Sequence, residues 1–366
     1  MSAEAGPTVV AKVARSRDEA LAPQIERWLR SAVPGFENAQ VRGLRSSDAS
    51  GLSGETHLVD CLLDSAGGPA ERTVVLRKDV LENQTNPQSD FTTLLRVQRA
   101  LGDLGTLPVP RVLGVEQSPA VLGARFVVME FVDGLIPADV PTYAAAGFVH
   151  DATPARRAAM WTSGVDFLVA LHALDPRELG LADLGFGAPG ADHVERTVNH
   201  AVALFRAEAG TRSNPLIERA IEWMTAARPS AGRDCICWGD ARIGNMIWRD
   251  FTCVGVIDWE MASVGSAGVD LGWWSFFHRW STHGQGNPDL SGMCVGAELA
   301  DLYAARGGDK IENFTFYEVL AAVRGLSIWL RMYAAMHAQG ALPEMDPLAD
   351  EIHMVRVLAA LMDEAS

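Results

Sequence analysis

Basic side chains are in short supply in this sequence: 31 lysines and arginines stand against 46 aspartates and glutamates, for a formal net charge of −15. Surfaces that track nucleic-acid phosphates need clustered lysine and arginine, so nucleic acid is not expected as a partner. The acidity mildly favours a cationic or metal-chelated ligand and otherwise serves solubility. Cysteine is scarce as well, limited to Cys61, Cys235, Cys237, Cys253 and Cys294. Their odd number argues against a disulfide framework, and the one residue between Cys235 and Cys237 is too few for a zinc knuckle. All five read as reduced, small buried residues of a reducing compartment. No apolar run reaches membrane-spanning length, and the opening MSAEAGPTVVAKVARSRDEA has no apolar core of signal-peptide length. The cytoplasm is the expected location, with no membrane partner. Internal repeats and low-complexity segments are also missing.

At 366 residues the chain exceeds the usual limit for one core, so two lobes are expected. Hydrophobic content of 48% and charged content of 21% are those of an ordinary globular protein. Residues 18–32 place Leu21, Ile25, Trp28 and Leu29 on one helical face, and Pro34-Gly35 ends that helix. Short β-like pieces follow over 39–80, around Thr56–Leu63 and Thr73–Lys78, separated by the turn at 65–69. A helix is expected at 90–101 and extended structure again over Arg125–Phe131. After Asp133-Gly134 the pattern turns helical, with candidates at 155–174, 192–209, 215–227, 294–306, 314–338 and 347–364. The exception is 234–259, which reads as a hairpin about Arg249-Asp250-Phe251-Thr252. The division expected is an N-terminal lobe over 1–132, including the leading helix, and a C-terminal lobe over 133–366.

The most informative stretch is Cys237-Trp238-Gly239-Asp240-Ala241-Arg242-Ile243-Gly244-Asn245, followed by Val254-Gly255-Val256-Ile257-Asp258-Trp259-Glu260. Asp240 and Asn245 lie on an irregular loop leading into the first hairpin strand, and Asp258 ends the second. A hairpin returns its second strand beside its first, which brings Asp258 back towards the loop. Three oxygen-bearing side chains then converge. Mg²⁺ keeps several waters, so one amide and one carboxylate are enough once phosphate oxygens join. Asn245 and Asp258 are accordingly candidate metal ligands, and Asp240 a candidate base for a hydroxyl proton.

Other features are weaker on their own. Ser50-Gly51-Leu52-Ser53-Gly54-Glu55-Thr56 has small residues that let backbone N–H groups approach phosphates, although a plain β-turn explains it equally and no Gly-Lys-Thr/Ser follows. Gly51, Ser53 and Gly54 are its candidate phosphate contacts. Arg77 and Lys78 point to opposite faces of a strand, so one could reach phosphates. Met129-Glu130-Phe131-Val132 ends an apolar run that could offer backbone groups to a base edge. Asp270 starts an apolar helical run, where helix capping is the plain reading. Eight of the ten tryptophans follow residue 220; most read as core, with Trp273, Trp274 or Trp280 as alternative pocket walls. His172 reads as a helix-end residue.

With these residues in view, the chain resembles the aminoglycoside phosphotransferase/choline kinase-like family, and within it the kinase-like domain fused to some acyl-CoA dehydrogenases. The segments CWGDARIGNMIW, VGVIDWEMASVGSAGVDLGWW, LVALHALDP and FVVMEFVDG carry the likeness, which extends from about Leu44 to about Met336. The resemblance implies an α+β, bilobal protein-kinase-like fold, with a small antiparallel-sheet lobe and a larger, mainly helical one. By it Asp240 matches the catalytic aspartate, Asn245 and Asp258 the two magnesium ligands, and Arg77 the nucleotide-binding lysine. Met129–Val132 match the hinge, and Asp270 the aspartate that braces the catalytic loop. Trp238 stands where the family has histidine, Arg77 where it has lysine, and Leu94 where its partnering glutamate would align.

The function expected is transfer of a γ-phosphate from Mg²⁺-bound ATP, or another nucleoside triphosphate, to a hydroxyl of a small molecule. The departures at Trp238 and Leu94 motivate a rival, a nucleotide-binding scaffold without turnover. An acidic helical interaction protein is a third reading. Aminoglycosides, choline-like amines and hydroxyacyl compounds are all open as acceptors, and the oligomeric state is open too.

Overall fold

The computed structural model describes residues 21–46, 54–65, 67–79, 90–185 and 187–365. The chain divides into two compact units, Met1–Thr85 with Pro110–Phe131 and Asn86–Val109 with Val132–Ser366.

In the first unit β1 (Gln40–Ser46), β2 (Gly54–Ser65), β3 (Gly68–Asp79), β4 (Val112–Glu116) and β5 (Phe126–Glu130) form one antiparallel sheet in the order β1-β2-β3-β5-β4. Alternate residues of a strand share a face. Val59, Cys61 and Leu63 of β2, with Val74 and Leu76 of β3, join the core of this unit in that way. Helix α1 (Ala22–Ala32) contributes Ile25, Trp28 and Leu29, the face its spacing predicts. Trp28 meets Phe126 edge-on at 4.7 Å, and its Nε1 donates to Glu116 Oε2 at 2.9 Å, so the ring is buried without stranding its polar atom. Burial of each such side chain stabilises by about 1.5–3 kcal/mol.

The second unit includes α2 (Phe91–Leu104), which the sequence places with the strands on either side of it. Its polar ties explain this: the Asp90 N–H donates to Glu260 O at 3.0 Å, and Arg96 pairs with Asp183 at 2.6 Å. The Asp90 side chain caps α2 by accepting from the Thr92 and Thr93 N–H groups, and Gly105 closes it in a left-handed conformation. The remaining helices are α3 (Pro154–His172), α4 (His193–Ala209), α5 (Pro215–Ala226), α6 (Gly268–Ser281), α7 (Gly296–Ala305), α8 (Phe314–Ala338) and α9 (His353–Glu364). Thr153, Asp192 and Asn214 cap α3, α4 and α5 with their side-chain oxygens. Helix α8 is long and apolar enough to cross a membrane by length and composition, which the sequence reading passes over; here α4, α6 and α9 pack around it.

The segment expected as one hairpin becomes two small ladders. β6 (Cys235–Cys237) pairs with β9 (Ser263–Gly265), while β7 (Met246–Arg249) and β8 (Thr252–Val256) form the hairpin itself. Asp250 and Phe251, at φ 49° and 62°, make the two-residue turn, the conformation whose twist suits tight hairpins.

Candidate functional site

The loop Trp238–Asn245 runs from β6 to β7 and is fixed from its backbone outward. Gly239 has φ 91°, and a Cβ there would lie 2.0 Å from Met261 O, so only glycine fits. Asp270, in the first turn of α6, accepts from the Trp238 N–H at 2.6 Å and the Gly239 N–H at 2.8 Å. It is not the helix cap: that position is Ala267, which makes no side-chain cap bond. His172 at the end of α3 sets Nε2 3.0 Å from Asp270 and Nδ1 3.0 Å from Tyr303 Oη. Burial opposes its charged form, but Cys235 and Asp270 together raise its pKa above the usual histidine value.

The Asp240 carboxylate is held by three donors. Trp273 Nε1 donates to Oδ1 at 2.7 Å, and Asn245 Nδ2 donates to Oδ2 at 2.6 Å. Arg242 Nε lies 3.2 and 3.3 Å from the two oxygens, and its Nη1 reaches Asp139 at 2.7 Å. Burial alone would weaken the charge on Arg242; Asp240, Asp139 and Asp258 outweigh it and raise the guanidinium pKa. The same three carboxylates thus share one cation.

Asn245 closes a 3-10 turn (Ile243–Asn245), and its carbonyl accepts from the Ile257 N–H at 3.0 Å. This contact brings Asp258, two residues beyond β8, back to the loop, with φ 67°. Trp238 joins the same two segments: its Nε1 donates to Ile257 O at 2.9 Å and Asp258 O at 3.2 Å, while its ring packs against Trp259 and Phe167. Trp238 is therefore a structural tie between the Asp240 loop and the Asp258 turn.

The donor set can be tested for a metal. Asn245 turns its Nδ2 to Asp240, which directs its Oδ1, the atom able to ligate a cation, elsewhere. Among the described residues no group of three or more His, Cys, Asp and Glu could hold an ion alone. One amide oxygen and one carboxylate, completed by phosphate oxygens and water, suit Mg²⁺ rather than zinc.

The other sequence candidates lie elsewhere in the chain. Gly51 and Ser53 are outside the described residues. Gly54 opens β2 opposite Asp79, and Arg77 lies near the end of β3 between Thr56 and Val127. Its neighbour Lys78 is paired with Glu55 at 2.8 Å. Met129 and Glu130 end β5, Phe131 closes the first unit, and Val132 resumes the second. Leu94 is buried in α2 and packs rather than pairs. Sequence reasoning missed Arg242, the direct bond from Trp273 to Asp240, and Arg324, whose guanidinium carbon stands 4.6 Å above the Trp273 ring. Beside the loop Asp139, Tyr143, Trp161, Arg242, Trp274 and His278 line a cavity of about 10 Å³. That is room for one water, not for a quaternary amine. Trp280 packs edge-on to Phe277 instead.

Comparison with known proteins places this geometry. The chain is 27% identical over 309 residues to acyl-CoA dehydrogenase family member 11 of Rattus norvegicus, across 81% of its own length and 37% of that protein's. The structure matches that of a candidate aminoglycoside phosphotransferase from Ralstonia eutropha with a TM-score of 0.68 and 21% identity, covering 93% of this chain and 98% of the other. It also matches aminoglycoside phosphotransferase APH(4)-Ia, solved with AMP-PNP and hygromycin B, with a TM-score of 0.59, 14% identity and coverage of 94% and 99%. The fold is that of the protein-kinase-like phosphotransferases. The sequence profile of the phosphotransferase enzyme family (APH) matches residues 65–309, and the chain belongs to that family.

Proposed function

We propose that this chain transfers the γ-phosphoryl group of Mg²⁺-bound ATP to a hydroxyl of a small molecule, with Asp240 as the base. The observation that carries this reading is the Asp240 carboxylate, held at both oxygens and joined through Asn245 to the turn bearing Asp258. The hydroxyl proton passes to Asp240, the acceptor oxygen bonds to phosphorus, and the bond to the β-phosphate oxygen breaks to release ADP. Asn245 and Asp258 would hold Mg²⁺, which supplies neutralising charge for the phosphates. Arg242 keeps the ionised carboxylate in place, and alignment supplies most of the acceleration. The phosphate contacts of Gly51, Ser53 and Gly54 rest on the small residues of their loop, and the nucleotide-binding roles of Arg77 and Met129–Val132 on the family resemblance. The AMP-PNP and hygromycin B bound in APH(4)-Ia support a nucleotide and a small-molecule acceptor for the class.

Transfer of radiolabelled γ-phosphate from Mg²⁺·ATP should be measured over aminoglycosides, choline-like amines and hydroxyacyl compounds. Turnover with at least one class is expected, and Asp240→Ala should lower it by about 10²–10⁴-fold or more while the protein stays folded. Undiminished transfer in that variant would overturn the role of Asp240. A melting-temperature rise with Mg²⁺·ATP but no transfer to any alcohol would favour the non-catalytic scaffold.

A further inference from the structure

Trp273 has no role assigned in the proposed reaction, yet it makes the shortest bond to Asp240 Oδ1. Its Nε1 donates at 2.7 Å, and its ring is buried, with Arg324 4.6 Å from the ring centroid. Arg324 is itself tied to the loop, where its Nη2 donates to Gly239 O at 3.4 Å. We propose that Trp273 is a positioning residue that sets the plane of the Asp240 carboxylate for the acceptor hydroxyl, with Arg324 holding the indole in register.

The terminal torsion of an aspartate is soft and roughly two-fold, so the backbone alone does not decide which lone pair faces a substrate. One donor on each oxygen decides it. Asn245 serves Oδ2 and Trp273 serves Oδ1, while Arg242 lies along the carboxylate edge and supplies charge more than direction, its two contacts being longer at 3.2 and 3.3 Å. The indole suits this task because it donates once, accepts nothing and does not titrate. The charged groups around Asp240 are Arg242, with Asp139 and Asp258 acting on it from two other segments, Arg324 from α8, and Asp270 from α6. Removing the donor therefore leaves the base less well aimed.

This inference rests on the reading of Asp240 as the base, and its test separates the two. In Trp273→Phe, which keeps an aromatic face for Arg324, kcat is expected to fall about 10–100-fold, the range that a hydrogen bond to a charged group supports. KM for Mg²⁺·ATP should hold. Trp329→Phe, whose indole bonds Pro347 O, is the control and should change neither. A second measurement needs no turnover and no Trp273 variant. The indole N–H resonance of Trp273 should lie downfield in the wild-type protein, as for a donor to a carboxylate, and move upfield in Asp240→Asn. An unchanged kcat in Trp273→Phe, or a Trp273 resonance indifferent to Asp240→Asn, overturns the proposal. If the wild-type protein transfers phosphate to no acceptor, that counts against the proposed function, and the resonance decides the placement of Trp273.

Discussion

Asp270 accepts at its two oxygens from successive backbone N–H groups, Trp238 and Gly239, and from His172 at the side. Alanine at this position would leave those buried donors without an acceptor. Each stranded group costs roughly 1–3 kcal/mol, so Asp270→Ala is expected to lower the unfolding free energy by roughly 3–5 kcal/mol. Urea denaturation measures this; a loss under about 1 kcal/mol would show that the loop holds its own shape. Asp240, Asn245 and Asp258 were legible in the sequence because a loop and a hairpin relate them locally. The Trp273 bond was not, because it joins residues 33 apart and depends on the phase of α6. One signal was present: Trp273 follows Asp270 by three positions, and residues so spaced share a helix face. A bracing role for Asp270 thus points the tryptophan towards the same loop.

Among the elements, α6 and α8 approach most closely through glycine. A Cβ at Gly272 would lie 2.4 Å from Tyr317 O, and one at Gly268 would enter the Tyr317 ring. Because the obstacle at Gly272 is backbone, no rotamer change relieves it. Gly272→Ala should force the helices apart and destabilise the protein by about 1–3 kcal/mol, despite alanine's better helix propensity. An increase in the urea midpoint would contradict this packing. The helices α3, α4, α5 and α8 and the β7–β8 turn follow closely from periodicity, proline and caps in the sequence. The β6–β9 ladder does not, because strands of three residues carry too little alternation to read and their pairing is long-range. The grouping of α2 with the second unit is hidden for the same reason: single polar contacts to distant residues decide it.

At the scale of the molecule, buried histidines contribute to the response to acid. His278 lies in α6 between Tyr143 and Trp161. Burial, with the charges of His283 and Arg279, lowers its pKa from the ordinary 6.5 to about 3. His200 is lowered in the same direction, to about 4, by burial and Arg324. Above pH 6.5 neither the folded nor the unfolded chain protonates His278, and stability is independent of it. As pH falls from 6.5 towards 3 the unfolded chain takes up a proton that the folded one refuses, so stability falls. His172, with its pKa raised, works in the opposite sense: its contribution is present at low pH and fades as pH rises through its folded value. His278→Gln should flatten the decline of Tm in that window while leaving the slope above it alone. The effect is on the order of a few kcal/mol at most. An equally steep acid decline in the variant would assign it to other groups.

Asp270 and Trp273 leave the same helical turn, one to grip the amides of a glycine-bearing bend and the other to orient its acid. The floor of that bend and the carboxylate at its tip are therefore moored to a single post. Fraying of the first turn of α6 would unmoor both at once, so under the proposed function activity and local order would be lost together.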